Sequence, residues 1–414
     1  MKWPVVKISK VRNAIGTRDP RRTPDAFFKY VDISGIDRES KTISTATAYI
    51  GSDAPGRARQ EIVSNDILVS TVRPNLNAVA MVPPELDGEI ASTGFCVLRA
   101  NLKAILPKFL FYLTQTQSFI ESLLAQMRGA NYPAVTDRNV YECNIPLPPL
   151  SEQRKIVEIL DEADALRRKG KEADEKASRI LTALFYDMFG DPVTNKKGWK
   201  KTPLGDLIKV KSGDFLPAKE MDSKGKYPVF GGNGINGFHS KCMFDTPKII
   251  IGRVGAYCGS INYAKDNCWI TDNALFINEQ NEALNDLYLV KALQIVDLNR
   301  LAGRAGQPLI SGSRIYPAEI LVPPINLQIE FAKCSEHLET IMKKAEKAIL
   351  LCNSTFSTLL HRAFAGSLTA GWREKNCAKL ETELSAQLKA IETANAIDES
   401  KLARGKAKVS AGKA

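Results

Sequence analysis

The sequence Pro-Leu-Pro-Pro-Leu-Ser-Glu-Gln-Arg-Lys-Ile-Val at residues 146–157 introduces a helical stretch that occurs twice in the chain. A shift of 175 positions places residues 145–189 on residues 320–364 without a gap. The same shift places Gln153 on Gln328, and it also aligns prolines and tyrosines upstream of the helical stretch. The chain is therefore an internal duplication, and the two copies of this stretch determine its architecture.

Apolar residues recur at spacings of three and four through both copies, which is the pattern of a helix with one apolar face. Because the two stripes share one register and have charged flanks, the sequence predicts two long helices that pack along a common seam as a coiled coil. The alternative is that each helix covers only its own domain. The residues assigned to this packing seam are Ile156, Leu166, Gly170, Leu181 and Leu184 in the first copy and Phe331, Leu338, Ile341, Phe356 and Leu359 in the second.

Gly170 lies in the interior of the first predicted helix. Glycine there costs about 1 kcal/mol relative to alanine. Its place on the packing seam therefore predicts either a close approach of the two helices or a local bend.

The composition is that of a soluble globular protein: 414 residues, 44% hydrophobic and 25% charged, enough for two or three domains. The N-terminus has no apolar core of signal-peptide length, and no apolar run approaches a membrane span, so we expect a cytoplasmic protein. The eight cysteines include no Cys-x-x-Cys pair, and the spacings of Cys242, Cys258 and Cys268 match no common zinc pattern. The sequence predicts reduced cysteines and no metal site.

Positive charge is concentrated outside the predicted helices. Residues 1–150 carry 18 basic and 14 acidic side chains, and residues 191–325 carry 17 and 13. A phosphate backbone is the obvious partner for two basic domains, although many basic proteins bind no nucleic acid.

The duplication divides the chain into two α+β domains, two helices and a tail. The tail contains Leu380, Leu384, Leu388 and Ile391 at helical spacing, followed by a basic end from Lys401 to Ala414 that we expect to be disordered. We interpret the tail as a solvated, dispensable extension, and contact with a partner or with DNA is the alternative. The predicted boundaries are 1–150 for the first domain, 151–190 for the first long helix, 191–325 for the second domain, 326–374 for the second long helix and 375–414 for the tail.

The sequence motifs favour a nucleic-acid-binding protein over an enzyme. It has no phosphate-binding Gly-x-x-x-x-Gly-Lys-Ser/Thr loop and no Asn-Pro-Pro-Tyr signature of adenine methylation. The segment Phe230-Gly-Gly-Asn-Gly234 lacks the downstream acidic residue of a dinucleotide site, so we interpret it as a tight turn. The three histidines, His239, His337 and His361, have no paired ligand or nucleophile motif beside them. No residue is assigned a catalytic role.

Residues 146–157, their helical continuation and its weaker copy after Pro323-Pro324 resemble the DNA specificity subunits of type I restriction-modification systems. Residues 227–237, Tyr-Pro-Val-Phe-Gly-Gly-Asn-Gly-Ile-Asn-Gly, are similar to the target recognition domains of that family. The resemblance implies an α+β fold in which two target recognition domains form a pseudo-twofold internal repeat. It also implies that two long antiparallel helices join them as a coiled coil, and that each domain reads one half of a bipartite, asymmetric DNA site.

The resemblance further implies the partners: double-stranded DNA, two methyltransferase subunits docked on the helices, and restriction subunits. Adenine-N6 methylation and ATP-dependent DNA cleavage would belong to those subunits, with S-adenosylmethionine, ATP and Mg²⁺, and this chain would hold no cofactor. Two alternatives remain open. The chain could be a stand-alone helical scaffold that never reads DNA, or a self-sufficient DNA-modifying enzyme with unrecognised motifs.

Candidate DNA-binding residues follow from base chemistry, because arginine bonds guanine bidentately and asparagine or glutamine bonds adenine. They are Arg18, Arg21, Arg22, Arg57, Arg59, Arg73, Asn75 and Asn77 in the first domain and Lys219, Asn233, Asn236, His239, Lys241 and Arg253 in the second. Phosphate contact or simple solubility explains each of them at least as well as base readout. Arg73 and Arg253 each end a predicted buried strand and so occupy parallel places in the two copies, and a structural role is a further alternative for both.

Overall fold

The computed structural model describes residues 2–127, 134–303 and 307–393, without the side chains of residues 174, 175, 177 and 178. The chain divides into two compact units. The first unit consists of residues 1–170 and 348–414, and the second of residues 171–347. Each unit is an α+β domain that includes the beginning of one long helix and the end of the other.

The first half of the chain contains twelve strands within the described residues. They are β1 (Val5–Lys7), β2 (Arg12–Asn13), β3 (Phe27–Val31), β4 (Ile36–Asp37), β5 (Thr42–Ile43), β6 (Thr47–Ile50), β7 (Ala58–Glu61), β8 (Ile67–Ser70), β9 (Val79–Met81), β10 (Ile90–Ser92), β11 (Phe95–Ala100) and β12 (Asn144–Pro146). The helices are α1 (Pro107–Leu113), α2 (Gln117–Leu124), α3 (Asp137–Tyr141) and the first long helix α4 (Leu150–Phe189).

The second half follows the same plan. Its strands are β13 (Lys200–Pro203), β14 (Ile208–Ser212), β15 (Tyr227–Gly231), β16 (Gly234–His239), β17 (Lys248–Gly252), β18 (Ile261–Ala264), β19 (Trp269–Ile270), β20 (Ala274–Gln280) and β21 (Glu319–Val322). Its helices are α5 (Leu204–Leu207), α6 (Asp286–Val296), α7 (Gly312–Ile315), the second long helix α8 (Ile325–Phe364) and α9 (Ala370–Lys375). Residues 377–393 are also helical.

The sheets of the two units have the same topology. The four-stranded sheet β2-β11-β8-β9 matches β14-β20-β17-β18, and the ribbon β1-β12 matches β13-β21. A parallel pair, β3 with β10 in the first unit and β15 with β19 in the second, also recurs. The duplication read from the helices therefore extends through both domains.

In the first unit, the beginning of α4 and the end of α8 pack into the domain core. Ile156 and Leu160 on α4 are fully buried in one apolar cluster with Phe356 and Ala363 on α8 and with Phe109 on α1. Burying one such side chain stabilises the fold by about 1.5–3 kcal/mol. The helix ends therefore belong to the domain itself.

In the second unit, the end of α4 and the beginning of α8 form an aromatic cluster. The rings of Phe185 and Tyr288 stack with centroids 5.6 Å apart, and the ring of Phe189 meets that of Tyr288 edge-on at 4.8 Å. Phe331 on α8 meets Phe185 at 5.6 Å. Each long helix therefore contributes one end to the core of each unit, so the alternative that each helix covers only its own domain does not describe these ends. Leu181 and Leu184 are partly buried against this cluster.

Two residues assigned to the packing seam are exposed. Leu166 has 61% of its surface accessible and Ile341 has 46%. These two positions are equivalent in the repeat, and on a helix with 3.6 residues per turn each lies about 80° from the line of Ile156 or Phe331. The next residue lies only about 20° from that line. The assignment of Leu166 and Ile341 to the packing seam is therefore wrong, since the helix turns the following residue inward.

Arg167 occupies the inward position that was assigned to Leu166. Its guanidinium carbon lies 4.7 Å from the centroid of the Phe356 ring, a cation–π geometry. Arg167 Nη2 also pairs with Asp164 Oδ1 at 2.5 Å. The equivalent position on α8 is Met342, which is half-buried. A charged side chain can thus occupy a position on the packing seam when it stacks on an aromatic ring and pairs with a carboxylate.

The second long helix ends at Phe364, ten residues before the predicted boundary at 374. Gly366 adopts a left-handed φ of +77°. The N–H groups of Ser367 and Leu368 then donate to Arg362 O, each at 3.0 Å. This is a glycine-terminated helix end, in which the chain folds back on the last turn. The predicted extension to 374 is wrong because α9 is a separate short helix.

The tail helix is packed against the first unit. Leu380 is fully buried, Ile391 is 6% exposed, and Leu384 and Leu388 are partly buried. The Gln387 side chain donates to Ala104 O at 2.6 Å. The interpretation of the tail as a solvated, dispensable extension is therefore wrong for residues 377–393. The basic end at Lys401–Ala414 lies outside the described residues.

Within the described part of the chain, none of the helices is both long and apolar enough to span a membrane.

Candidate nucleic-acid interface

Two of the predicted arginines of the first unit, Arg59 and Arg21, pair with Asp19, and a third, Arg18, is bound to the backbone. Arg59 Nη1 lies 3.2 Å from Asp19 Oδ1, and Arg21 Nε lies 3.4 Å from the same oxygen. Arg18 donates from Nη2 to Gly88 O at 2.9 Å. Asp19 also accepts from the Arg21 N–H, which caps the turn Pro20–Arg22. This group is a cross-linked basic cluster, so part of its positive charge is neutralised within the domain.

Arg22 and Arg57 are exposed in turns of the first unit. Arg22 is the last residue of the turn Pro20–Arg22, which the cap at Asp19 fixes. Arg57 precedes β7, where Ala58 N donates to Pro55 O at 2.9 Å. Their exposure on ordered turns suits them to contact phosphates.

The predicted residues Arg73, Asn75 and Asn77 belong to a loop at residues 72–77, between β8 and β9. Two of its residues are left-handed: Arg73 has φ +49° and Asn77 has φ +44°. Between them, the turn Pro74–Leu76 exposes Asn75. Arg73 is exposed as well. The loop therefore presents one cation and one amide to solvent.

Asn77 has a structural role in this loop. Its Oδ1 accepts a hydrogen bond from Lys41 Nζ at 2.7 Å, and its Nδ2 donates to Thr114 O at 2.9 Å. Both ends of the amide are thus engaged inside the domain. These bonds use one lone pair of Oδ1 and one hydrogen of Nδ2, so they fix the orientation of the amide inside the domain.

The second unit contains an equivalent loop at residues 254–259. Ser70 N donates to Ala78 O at 2.9 Å before the first loop, and Gly252 N donates to Ser260 O at 2.8 Å before the second. The left-handed positions recur at Gly255, with φ +83°, and Gly259, with φ +84°. The 72–77 and 254–259 loops are therefore equivalent in position and have left-handed residues at matching places, with an offset of 182 positions in the sequence.

This offset changes which residues are equivalent. Val135 N donates to Thr71 O at 2.9 Å, and Ile310 N donates to Arg253 O at 2.9 Å. Arg253 is therefore the counterpart of Thr71, and the parallel that the sequence suggested between Arg73 and Arg253 is wrong. The segment between this loop and the long helix is seven residues longer in the first copy, which is the difference between the offsets of 182 and 175. The register of the helices therefore does not extend to this loop.

The Arg253 side chain is used inside the second unit. Its Nη1 donates to Ser212 Oγ at 3.0 Å and to Asp272 O at 3.2 Å. These bonds tie the end of β17 to β14 and to the turn before β20. The structural alternative given for Arg253 therefore fits its contacts, whereas Arg73 is exposed.

His239, another predicted residue of the second unit, contacts the turn that carries Lys219. His239 Nδ1 lies 3.1 Å from the backbone oxygen of Glu220, the residue after Lys219. The His239 ring also meets the Trp269 ring edge-on, with centroids 5.4 Å apart. Lys219 itself is exposed on the turn Ala218–Glu220. His239 thus fixes a turn that displays a cation.

The β15–β16 hairpin carries the remaining predicted residues. Gly234 has φ +93° at its tight turn, which confirms the turn predicted for residues 230–234. Asn233 and Asn236 are exposed on the hairpin, and Lys241 is exposed just beyond it. Asparagine and lysine side chains on an extended hairpin can reach a groove edge or a phosphate.

Sequence reasoning missed one residue of these loops and one residue that contacts them. Tyr257, 56% exposed, is the counterpart of Asn75 at the tip of the 254–259 loop. Its signal was an aromatic residue in a short segment bounded by Gly255 and Gly259. Lys41, which holds the 72–77 loop from another hairpin, has no signal in the sequence because the contact is long-range. Within the described residues, no group of three or more His, Cys, Asp and Glu side chains is placed to hold a metal ion.

Comparison with known proteins relates this arrangement to one family. A family model described as "Type I restriction modification DNA specificity domain" matches residues 2–174 and 196–350. The Type I restriction enzyme EcoprrI specificity subunit of Escherichia coli is 24% identical over 355 residues, covering 81% of this chain and 87% of that protein. A structure from work on complex assembly and conformational transition of the type I R-M system has 28% identity and a TM-score of 0.55, covering 89% of this chain and 98% of that chain. The type I S subunit from M. genitalium shares the fold, with a TM-score of 0.59 at 17% identity over 87% of this chain and 96% of that one.

Proposed function

This chain belongs to the family of type I restriction modification DNA specificity domains, and from that premise we propose how it reads DNA. Each unit recognises one half of a bipartite, asymmetric site on double-stranded DNA. The chain determines which DNA sequence the complex recognises, and other subunits of the complex carry out catalysis.

The main observation that supports this proposal is that the 72–77 and 254–259 loops are equivalent. Both loops lie between equivalent strands and have left-handed residues at matching positions. Their tips differ, since Asn75 stands where the second loop has Tyr257. Two copies of one scaffold that present different side chains are suited to two different half-sites. An asymmetric target follows from that difference.

Exposure separates candidate readers from structural residues. In the first unit, Arg73 and Asn75 have the exposure that base readout requires, with Arg22 and Arg57 suited to phosphates. In the second unit the hairpin and the 254–259 loop supply the surface. Its exposed side chains are Lys219, Asn233, Asn236, Lys241 and Tyr257.

We propose that the long helices form an antiparallel coiled coil that sets the distance between the half-sites. In the first unit, Gly170 of α4 lies against Ile349 of α8, and Arg167 lies against Phe356. The α8 residue number rises as the α4 number falls, which supports an antiparallel run. A pseudo-twofold arrangement of this kind would place half-site centres about 10 bp apart if both units approach one face of DNA.

The proposed partners are two methyltransferase subunits, docked on the exposed flanks of the helices, and restriction subunits in a larger cytoplasmic complex. S-adenosylmethionine, ATP and Mg²⁺ would be bound by those subunits. An adenine target must leave the base stack to reach a methyltransferase site. The contribution of this chain is to hold the duplex at the correct site while that occurs.

Reconstitution tests the proposal. The purified chain, the methyltransferase subunits encoded with it, and the two together are incubated with genomic DNA and labelled S-adenosylmethionine. We expect methyl transfer at one bipartite sequence only in the combined reaction. Transfer by this chain alone would identify a self-sufficient enzyme. Transfer by the methyltransferase at the same sites without this chain would identify a scaffold.

A further inference from the structure

Lys41 connects the hairpin at residues 36–43 with the 72–77 loop. Its Nζ donates to Asn77 O at 2.6 Å and to Asn77 Oδ1 at 2.7 Å. Asn77 Nδ2 donates in turn to Thr114 O at 2.9 Å. The last residue of the loop is therefore anchored by two elements that are distant from it in the sequence.

This anchor stabilises a backbone conformation that ordinary side chains disfavour. Arg73 and Asn77 are left-handed, at positions where the second unit has Gly255 and Gly259. A side chain in the left-handed region crowds the main chain, whereas glycine adopts it freely. The first loop keeps side chains at both positions and therefore needs contacts such as those of Lys41 to hold its shape.

The hairpin that carries Lys41 is itself attached to the first long helix. Arg168 on α4 donates from Nη2 to Ser40 O at 3.3 Å. Asp164, which is 7% exposed, orients this guanidinium through a 2.6 Å contact with its Nε. A continuous set of contacts thus runs from α4 through the hairpin to the 72–77 loop.

Stability alone does not explain a lysine at this place. Burial, followed by the charges of Arg167 and Arg38, lowers the pKa of Lys41 to about 8, against an opposing effect of Asp37. A methionine would fill the same space without that unfavourable electrostatic environment. What the ammonium supplies and a methionine could not are the two hydrogen bonds to Asn77. The other charged groups of the adjoining cleft, about 480 Å³ in volume, are Lys108, Asp161, Asp164 and Arg168.

We propose that Lys41 is a positioning residue for DNA readout by the first unit: it holds the 72–77 loop so that Arg73 and Asn75 face the duplex, and it connects that loop to the first long helix. This inference rests on the proposed function. It assigns specificity for the first half-site to a loop whose geometry is set by a residue that need not touch DNA.

A coupling experiment tests the proposal in the reconstituted methyltransferase complex. Equilibrium binding is measured to the duplex that the wild-type complex selects from a randomised library. We expect Arg73→Ala to weaken binding about tenfold in the wild-type background, as for loss of one bidentate base contact. In the Lys41→Met background, the same substitution should change binding less than about threefold, because the loop no longer presents Arg73. Lys103→Met removes an equally charged, exposed lysine and should leave the tenfold effect intact.

Hydrogen exchange provides a readout without DNA. The amides of Leu76 and Asn77 donate to Arg73 O and Pro74 O within the loop. Lys41→Met should accelerate their exchange by about tenfold or more, while the amides of β8 keep their protection. Because Lys41 loses its proton as pH rises through about 8, wild-type affinity should fall across that range more steeply than that of Lys41→Met.

The outcomes separate this inference from the function it rests on. An equal effect of Arg73→Ala in both backgrounds, or unchanged exchange at Leu76 and Asn77, overturns the role of Lys41 while leaving specific DNA binding in place. A wild-type complex that selects no sequence from the library contradicts the proposed function, and with it this inference.

Discussion

Gln153 and Gln328 make the same three hydrogen bonds in the two units. Gln153 donates to Ala104 O and Pro148 O, at 3.1 and 2.9 Å, and its Oε1 accepts from Leu106 N at 2.8 Å. Gln328 donates to Ala283 O and Pro323 O, at 2.9 and 2.8 Å, and accepts from Asn285 N at 2.9 Å. Both side chains are fully buried. One glutamine in each copy thus joins the first turn of a long helix to its domain.

The two glutamines should differ in how much each contributes to stability. In the first unit, Gln387 of the tail helix also donates to Ala104 O and Pro148 O. Gln328→Leu leaves two acceptors and one donor without these bonds, and we expect a loss of about 2–4 kcal/mol in the free energy of unfolding. Gln153→Leu should cost about 1–2 kcal/mol, since Gln387 still serves both acceptors. Chemical denaturation measures both losses.

The exposed Gln117 offers a control, since Gln117→Leu should change stability by less than about 0.5 kcal/mol. Combining Gln153→Leu with Gln387→Leu should cost more than the sum of the two single changes. Equal losses for Gln153→Leu and Gln328→Leu would contradict the compensating role of Gln387.

Gly170 allows α4 and α8 to approach closely within the first unit. A Cβ at this position would lie 2.9 Å from Ile349 Cγ1, so the close-approach explanation fits better than a bend. We expect Gly170→Leu to lower the melting temperature, at a cost of about 1–3 kcal/mol from overpacking. Gly371→Ala on α9, where a Cβ meets no neighbour, is the matched control and should be neutral or stabilising. Unchanged melting and half-site spacing in Gly170→Leu would refute close approach.

Glu152 is a fully buried carboxylate whose charge is paired with Arg373. Arg373 Nε donates to Oε1 at 2.8 Å, and Thr369 and Trp3 donate at 2.6 and 2.9 Å. Arg373→Met leaves this carboxylate without its cation and should cost about 3 kcal/mol. Adding Glu152→Gln removes the charge and should recover most of the loss, as judged by thermal unfolding. No recovery in the double variant would mean that packing, rather than charge pairing, holds this segment.

Arg73 and Arg253 should respond in opposite ways to the same substitution. Arg253→Met removes the bonds to Ser212 and Asp272 and should cost about 1–2 kcal/mol of stability. Arg73→Met removes an exposed side chain and should leave stability within about 0.5 kcal/mol. DNA affinity should fall more for Arg73→Met. Chemical denaturation and DNA binding are measured on both variants. A larger loss of stability for Arg73→Met than for Arg253→Met would contradict these assignments.

The sequence predicted the long helices well because no insertion separates their copies. A constant offset of 175 positions aligned Gln153 with Gln328, and period alone located α4 and α8. The same spacing rule failed at Leu166, because positions 166 and 167 both continue a three-and-four pattern. Periodicity alone does not distinguish the two positions, whereas in the structure Arg167 lies inward, against the Phe356 ring and Asp164.

Loop contacts were beyond the reach of sequence because they are long-range and change register. Arg73 looked equivalent to Arg253 until hydrogen bonds paired Arg253 with Thr71. The tail helix was recognisable from its leucines, but its docking also uses polar side chains such as Gln387, which donates to a carbonyl oxygen 283 positions away. Periodicity carries no information about such partners.

The central claim is that each unit reads its own half-site. Replacing residues 12–140 by the corresponding segment of another specificity subunit tests it while keeping β1, β12 and the contact between Trp3 and Glu152. The methylated sites of the reconstituted complex are then determined by sequencing. We predict that one half of the bipartite site changes, while the other half and the spacing remain. An unchanged target, or a change in both halves, would contradict the account.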